Sequence, residues 1–156
     1  MRPYSGEKLC GNCFCKSIES KVRGTLSKYE MFHPRDKIMV AVSGGKDSVS
    51  LLHILTKIEK TFPETTLSAV TVDEGIKGYR DEALKVAAKN CRKLGVEHLV
   101  TSFKEMYGYQ LDEIVNMTLK REEGELTPCS YCGVLRRRAL NTAAREAGVD
   151  KLATAH

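Results

Sequence analysis

The residues with the clearest chemical purpose are Ser43-Gly44-Gly45-Lys46-Asp47-Ser48. They follow a short apolar run, Lys37–Val42, and precede a stretch with apolar residues at helical spacing. A strand, a glycine turn and a helix in that order make a phosphate-binding arrangement. Gly44 and Gly45 let the backbone turn tightly and bring N–H groups near phosphate oxygens. The hydroxyls of Ser43 and Ser48 can donate further hydrogen bonds, and Lys46 adds a cation. The helix behind points its positive end at the anion, and Asp47 can hold Mg2+ bound to a pyrophosphate. The spacing departs from G-x-x-x-x-G-K-S/T: its first glycine is missing, and Asp47 rather than Ser or Thr follows Lys46. A kinase or GTPase loop is therefore a poor fit. The bland reading is a glycine turn that holds no ligand, and six suitable positions in the right context argue against it.

A second group is Cys129 and Cys132, in TPCSYCGVLRRRALN. A helix starting near Ser130 would put both sulfurs on one side of its first turn. The helix dipole there favours thiolate. Arg136, four residues after Cys132, would share that face, and Arg136–Arg138 could hold nucleotide or RNA phosphate. Three readings fit the pair. It is a redox or persulfide-carrying dithiol, or two ligands of a metal or iron–sulfur site completed elsewhere, or two inert helix cysteines.

The chain has six cysteines. No stretch reaches the ~18 apolar residues of a membrane span, and the N-terminus lacks the apolar core of a signal peptide. A cytosolic protein, with no membrane partner, is expected, and thiols stay reduced there. The cluster Cys10, Cys13 and Cys15 then reads as metal ligands or reactive thiols. Cys91, alone in a helical stretch, reads as a packing residue. His33, His53 and His98 have no partner pattern. Asp73, after a strand, suits a site or a loop. The net charge of +5, from 25 Lys and Arg against 20 Asp and Glu, permits a polyanion such as RNA without demanding one.

The elements that must hold these groups alternate. Strands are expected at Lys37–Val42, Leu67–Val72, His98–Phe103 and Lys151–Ala155. Helices are expected at 16–31, Val49–Phe62, Arg80–Leu94, Leu111–Lys120 and Ser130–Ala147. Arg121–Pro128 reads as a charged loop. The pattern is an α/β fold with a parallel sheet, whose ligands sit at the carboxyl ends of the strands. The turn at Ser43, the Asp73-Glu74-Gly75 loop and Ala155-His156 should share that edge. Pro34 marks a boundary between residues 1–33 and 34–156.

SGGKDS resembles the PP-loop of the ATP-pyrophosphatase family. Together with TVDEGIKGYRDEAL, PCSYCGVLRRRALN and KLATAH, it resembles the TtcA/TtuA-like tRNA 2-thiolation enzymes, nearest their cytoplasmic tRNA 2-thiolation protein 1 group. The resemblance runs from about Arg2 to the last residue. It implies a Rossmann-like PP-loop domain, of the adenine nucleotide alpha hydrolase type, that adenylates the C2 oxygen of a tRNA uridine with ATP. Sulfur then displaces AMP to give 2-thiouridine. The sulfur would come from a carrier protein of ubiquitin-like fold with a C-terminal thiocarboxylate, or from a persulfide or sulfide. By motif, Ser43, Gly44, Gly45, Lys46, Asp47 and Ser48 bind ATP with Mg2+. Backbone at Ala41, Val42, Val72 and Asp73 holds adenine and ribose. Arg136 faces the phosphates, and Ala155 closes the site. Cys129 and Cys132 become catalytic cysteines, which in relatives ligate a 4Fe–4S cluster with a third.

GEKLCGNCF resembles the second ligand pair of an N-terminal zinc module, which makes Cys10 and Cys13 zinc ligands; Cys13-x-Cys15 is tight spacing for such a site. The first pair is expected before Met1, and the third cysteine, with acidic residues, beyond His156. The chain is thus expected to be a fragment, a zinc-module remnant followed by a truncated PP-loop domain, and the protein a homodimer or hetero-oligomer. Two rivals remain. One is another adenylating PP-loop enzyme, an amidotransferase or lysidine-type synthetase, which does not require the cysteine pair. The other is an inactive fragment that binds zinc or RNA.

Overall fold

The computed structural model describes residues 6–62, 64–76, 78, 80–119 and 128–155. The chain divides into two compact units, Met1–Pro34 and Arg35–His156.

The first unit is built on helix α1, Gly11–Lys28. Cys10 caps it, its Sγ accepting from the Cys13 N–H at 3.5 Å. The helix begins five residues before the apolar spacing reports it, because that spacing starts only at Ile18. A cap and a polar first turn leave no periodic signal.

The second unit is a parallel sheet in the order β3-β2-β1-β4. Its strands are β1 (Lys37–Ala41), β2 (Thr66–Asp73), β3 (Glu97–Ser102) and β4 (Lys151–Ala153). Helix α2 (Lys46–Glu59) joins β1 to β2, and α3 (Arg80–Leu94) joins β2 to β3. The return to the far side of β1 passes through α4 (Phe103–Tyr107), α5 (Leu111–Leu119) and α6 (Pro128–Glu146). Helices α2 and α3 pack together on the sheet. Alternation along the strands gives α6 the opposite face, where Met39, Val70 and Val72 meet Ala139, Leu140 and Ala143 in one buried cluster. The other face offers Ile38, Val40 and Ala69, all buried, with Leu52, Leu55 and Ala87 from the helices.

This strand order belongs to doubly wound sheets, and it reverses direction at β1. One connection leaves β1 toward β2, and the last one returns to pair β4 on the other side. A crevice opens between the carboxyl ends of β1 and β4, the place where such sheets bind ligands. Asp150 anchors the returning strand: its N–H donates to the Lys37 carbonyl at 2.8 Å, and its Oδ2 accepts from the Lys37 N–H at 2.8 Å.

Several elements differ from the sequence reading. Helix α2 starts at Lys46 rather than Val49, because its first turn faces the crevice and carries no apolar residue. Phe103 ends no strand; it opens α4, which the apolar run HLVTSF conceals. Ser102 and Glu105 form a reciprocal capping box there. Helix α6 begins at Pro128 instead of Ser130, and β4 stops at Ala153 instead of Ala155. The loop read at Arg121–Pro128 lies almost wholly outside the described residues.

Candidate functional site

The turn after β1 is held by its own serines. Ser48 Oγ donates to the Gly45 carbonyl at 3.0 Å. It accepts from the Ser43 N–H at 3.1 Å and lies 3.0 Å from Ser43 Oγ. Its one proton is committed to Gly45, so Ser43 is the donor in the hydroxyl pair. Ser48 is therefore a buried staple of the loop rather than a free donor to an anion. Gly45 is the N-cap of α2, and no side chain caps that helix. The N–H groups of the first turn are thus left without a side-chain cap, the arrangement that can accept an anion.

Gly44 serves packing. Its φ is +86°, and a Cβ there would sit 2.3 Å from the Ala83 carbonyl oxygen on α3. The turn thus lies directly against the next helix, a closeness only glycine permits.

A cleft of about 310 Å³ opens at the β1/β4 crevice. Its wall includes Ala41, Val42, Ser43, Gly45, Lys46, Asp47 and Ser48 from the first strand and turn. Val72 comes from β2, Arg136 and Leu140 from α6, and Thr154 and Ala155 from the end of β4. Most of the residues singled out for nucleotide binding meet here. Gly44 and Asp73 do not line it. Asp73 instead closes its own loop, Oδ1 accepting from the Gly75 N–H at 2.9 Å.

The charge of the cleft comes from a buried network that the sequence gives no periodic sign of. Glu74, 1% exposed, follows β2. Arg136 Nε donates to its Oε1 at 2.6 Å, and Arg80 Nε forms an ion pair with its Oε2. Arg80 also donates to the Ser43 carbonyl at 3.3 Å and to the Val72 carbonyl. It thereby ties the ends of β1 and β2 together. Two guanidinium groups face one carboxylate, so the wall keeps a positive excess in a partly desolvated place where charge acts strongly. Burial works against the Arg136 charge, but Glu74 and then Cys132 outweigh it and hold that proton more firmly than usual.

Arg136 also reaches the cysteines. Its Nη2 lies 3.0 Å from Cys132 Sγ, as the four-residue spacing on α6 allows. Cys129 is exposed one turn earlier, and Cys132 is buried. The expectation of a thiolate at the helix start is corrected for Cys132. Burial pushes its thiol up; the Arg136 charge pulls it down by less, and Glu74 opposes that pull. Metal binding would displace that proton, so Cys132 suits a metal-bound thiolate better than a free nucleophile.

His98 and His53, which have no partner pattern in the sequence, make structural hydrogen bonds between elements. His98 Nε2 lies 2.7 Å from Thr71 Oγ1, whose proton goes to the Val42 carbonyl at 2.7 Å. His98 is therefore the donor, and the chain of bonds ends at the residue before Ser43. His53 Nε2 lies 3.2 Å from Asn90 Oδ1, linking α2 to α3. Cys91 is buried, as expected of a packing residue.

In the first unit, Cys10, Cys13 and Cys15 are exposed. The Cys13 N–H holds the Cys10 thiol below its ordinary value. Among the described residues, no three His, Cys, Asp or Glu side chains group closely enough to hold a metal.

Residues 16–156 match the PP-loop domain. The chain belongs to the PP-loop family. It is 39% identical to cytoplasmic tRNA 2-thiolation protein 1 of Anopheles gambiae, over 99% of this chain and 44% of that protein. It is 35% identical to the protein of that name from Xenopus laevis, with the same coverage. Among solved structures it is similar to the U34-tRNA thiolase NcsA of Methanococcus maripaludis, determined with its 4Fe–4S cluster. The TM-score is 0.84 at 38% identity, over 97% of this chain and 48% of that one. An NH3-dependent NAD synthetase from Campylobacter jejuni shares the PP-loop fold alone, with a TM-score of 0.56 at 16% identity. This PP-loop chain spans less than half the length of its curated relatives. Among its described residues, no helix is long and apolar enough to cross a membrane.

Proposed function

We propose that this chain carries the ATP site and two of the reactive cysteines of a cytoplasmic tRNA-uridine 2-sulfurtransferase. The observation that carries this reading is the single side chain shared by both halves of the chemistry. Arg136 lines the anion cleft and lies 3.0 Å from Cys132 Sγ. A PP-loop enzyme that adenylates and then adds an amine has no use for that pairing, which favours sulfur chemistry over the amidotransferase and lysidine-type rivals. The relatives' names support the same choice, and NcsA supports a uridine at position 34.

The uridine C2 oxygen attacks the α-phosphorus of ATP, and pyrophosphate leaves. A sulfur nucleophile then adds at C2, and AMP departs with the oxygen. The first turn of α2 and Lys46 hold the phosphates, with Mg2+ at Asp47. Backbone at Ala41, Val42 and Val72 holds adenine and ribose, and Ala155 closes the cleft. Arg136 offsets charge as pyrophosphate separates.

Cys129 and Cys132, one turn apart on α6, are suited to two positions of a 4Fe–4S cluster, with the remaining protein ligand outside the described residues. Such a cluster would supply an iron site that delivers sulfur. Cys10 and Cys13 would likewise supply two thiolates to a zinc ion, with the other ligands outside the described residues. The partners are tRNA and a sulfur carrier of ubiquitin-like fold, and the assembly is a homodimer or hetero-oligomer. The test is nucleoside mass spectrometry of tRNA from cells with the gene deleted. 2-Thiouridine should disappear and return with the wild-type gene but not with Cys129→Ser. Unchanged 2-thiouridine after deletion would reject the reading.

A further inference from the structure

We propose that Glu74 is a positioning residue, one that aims Arg136 at the phosphates of a nucleotide in the β1/β4 cleft. The proposal rests on the reading of that cleft as the ATP site.

Glu74 divides its two oxygens between two arginines of different standing. Arg80, on Oε2, is itself fixed by the Ser43 and Val72 carbonyls and is nearly buried. Arg136, on Oε1, has a side chain 39% exposed. A long side chain that open to water samples many rotamers, and ordering it costs entropy at the moment of binding. Glu74 passes the rigidity of the strand ends, through Arg80, to an arginine that would otherwise be loose. The fork is then fully specified. Nε goes to Glu74, Nη2 goes to Cys132, and Nη1 has no hydrogen-bond partner among the described residues.

Two effects oppose each other. The carboxylate subtracts negative potential from an anion site, so removing it could strengthen phosphate binding. It also fixes the donor, so removing it could weaken binding. Geometry favours the second. Two guanidiniums against one carboxylate leave the wall positive even with Glu74 present. Without it, the buried Arg80 and the half-buried Arg136 would face each other uncompensated, and the more exposed Arg136 would turn to solvent.

The test uses the full-length protein and calorimetric titration with a non-hydrolysable ATP analogue and with adenosine. Glu74→Gln is expected to bind the analogue roughly tenfold more weakly, the size of one lost charge-assisted hydrogen bond. Adenosine, which lacks phosphates, should bind as to wild type. Glu74→Asp keeps the charge but withdraws the oxygens by one methylene, and it should also lose affinity for the analogue. In an Arg136→Met background, Glu74→Gln should add no further loss. The proposal is overturned if the Gln variant binds the analogue as well as wild type or better. It also fails if analogue and adenosine weaken together, if Glu74→Asp is unaffected, or if the two losses add. Wild-type protein that does not bind the analogue would remove the cleft reading, and the proposal with it.

Discussion

Gly44 and Ser48 are occupied with the structure of their own turn. Gly44 is shaped by α3, with the Ala83 carbonyl where a Cβ would be. Ser48 is spent on the loop's own backbone. Besides the Lys46 ammonium, the donors the turn has left for an anion are main-chain N–H groups, which these two residues hold in place. This gives a sharp expectation for Gly44→Ala. The added methyl meets backbone, which cannot rotate away, at a φ that side chains rarely adopt. Thermal unfolding should show a loss of about 2–3 kcal/mol, typical of strain at a special backbone position. Binding of an ATP analogue should fall with it, because the N–H groups move with the turn. A variant as stable as wild type, with full affinity, would show that the turn has room this packing denies.

At the scale of elements, the sheet and its helices were legible because apolar periodicity records which faces are buried. Where a boundary carries no apolar residue, the record stops. The first turn of α2 is polar because it faces the cleft, and α4 hides behind Phe103 at the end of an apolar run. The capping pair Ser102 and Glu105 is visible in the sequence and would have divided that run correctly. The Glu74–Arg80–Arg136 network had no such signal, since its members lie on β2's loop, α3 and α6. Only folding makes them neighbours. The bond from His98 to Thr71 is likewise made only by folding, and the setting of His98 makes a prediction. Burial holds its pKa below the ordinary 6.5. The folded state then binds fewer protons than the unfolded state near that pH, so stability rises with pH. His98 should contribute fully above about 6.5 and lose its contribution as pH falls below it toward the folded value. Melting temperatures measured across this range should decline at low pH for wild type. The difference should shrink in His98→Asn. Equal pH slopes in the two proteins would assign the decline to other groups.

At the scale of the molecule, positive charge is arranged in two different ways. One is the net charge of +5, spread along the chain, with Arg137 and Arg138 exposed on α6. The other is the guanidinium excess fixed in the cleft wall by Glu74. Solvent-exposed charges are screened by salt over roughly 8 Å at physiological ionic strength, while partly buried ones are screened much less. A tRNA held by surface arginines and lysines also releases condensed counterions when it binds, which makes its affinity fall steeply with salt. A nucleotide held by main-chain N–H groups and a partly buried arginine network should lack most of that dependence. Raising salt from about 50 to about 200 mM should therefore weaken tRNA binding by at least tenfold, the effect of a few phosphate contacts. Affinity for an ATP analogue at constant Mg2+ should change by clearly less. Filter binding for tRNA and calorimetry for the nucleotide, on the full-length protein, measure the two slopes. Parallel slopes would mean that the cleft is as open to ions as the surface. The network around Glu74 would then not be the source of its charge selectivity.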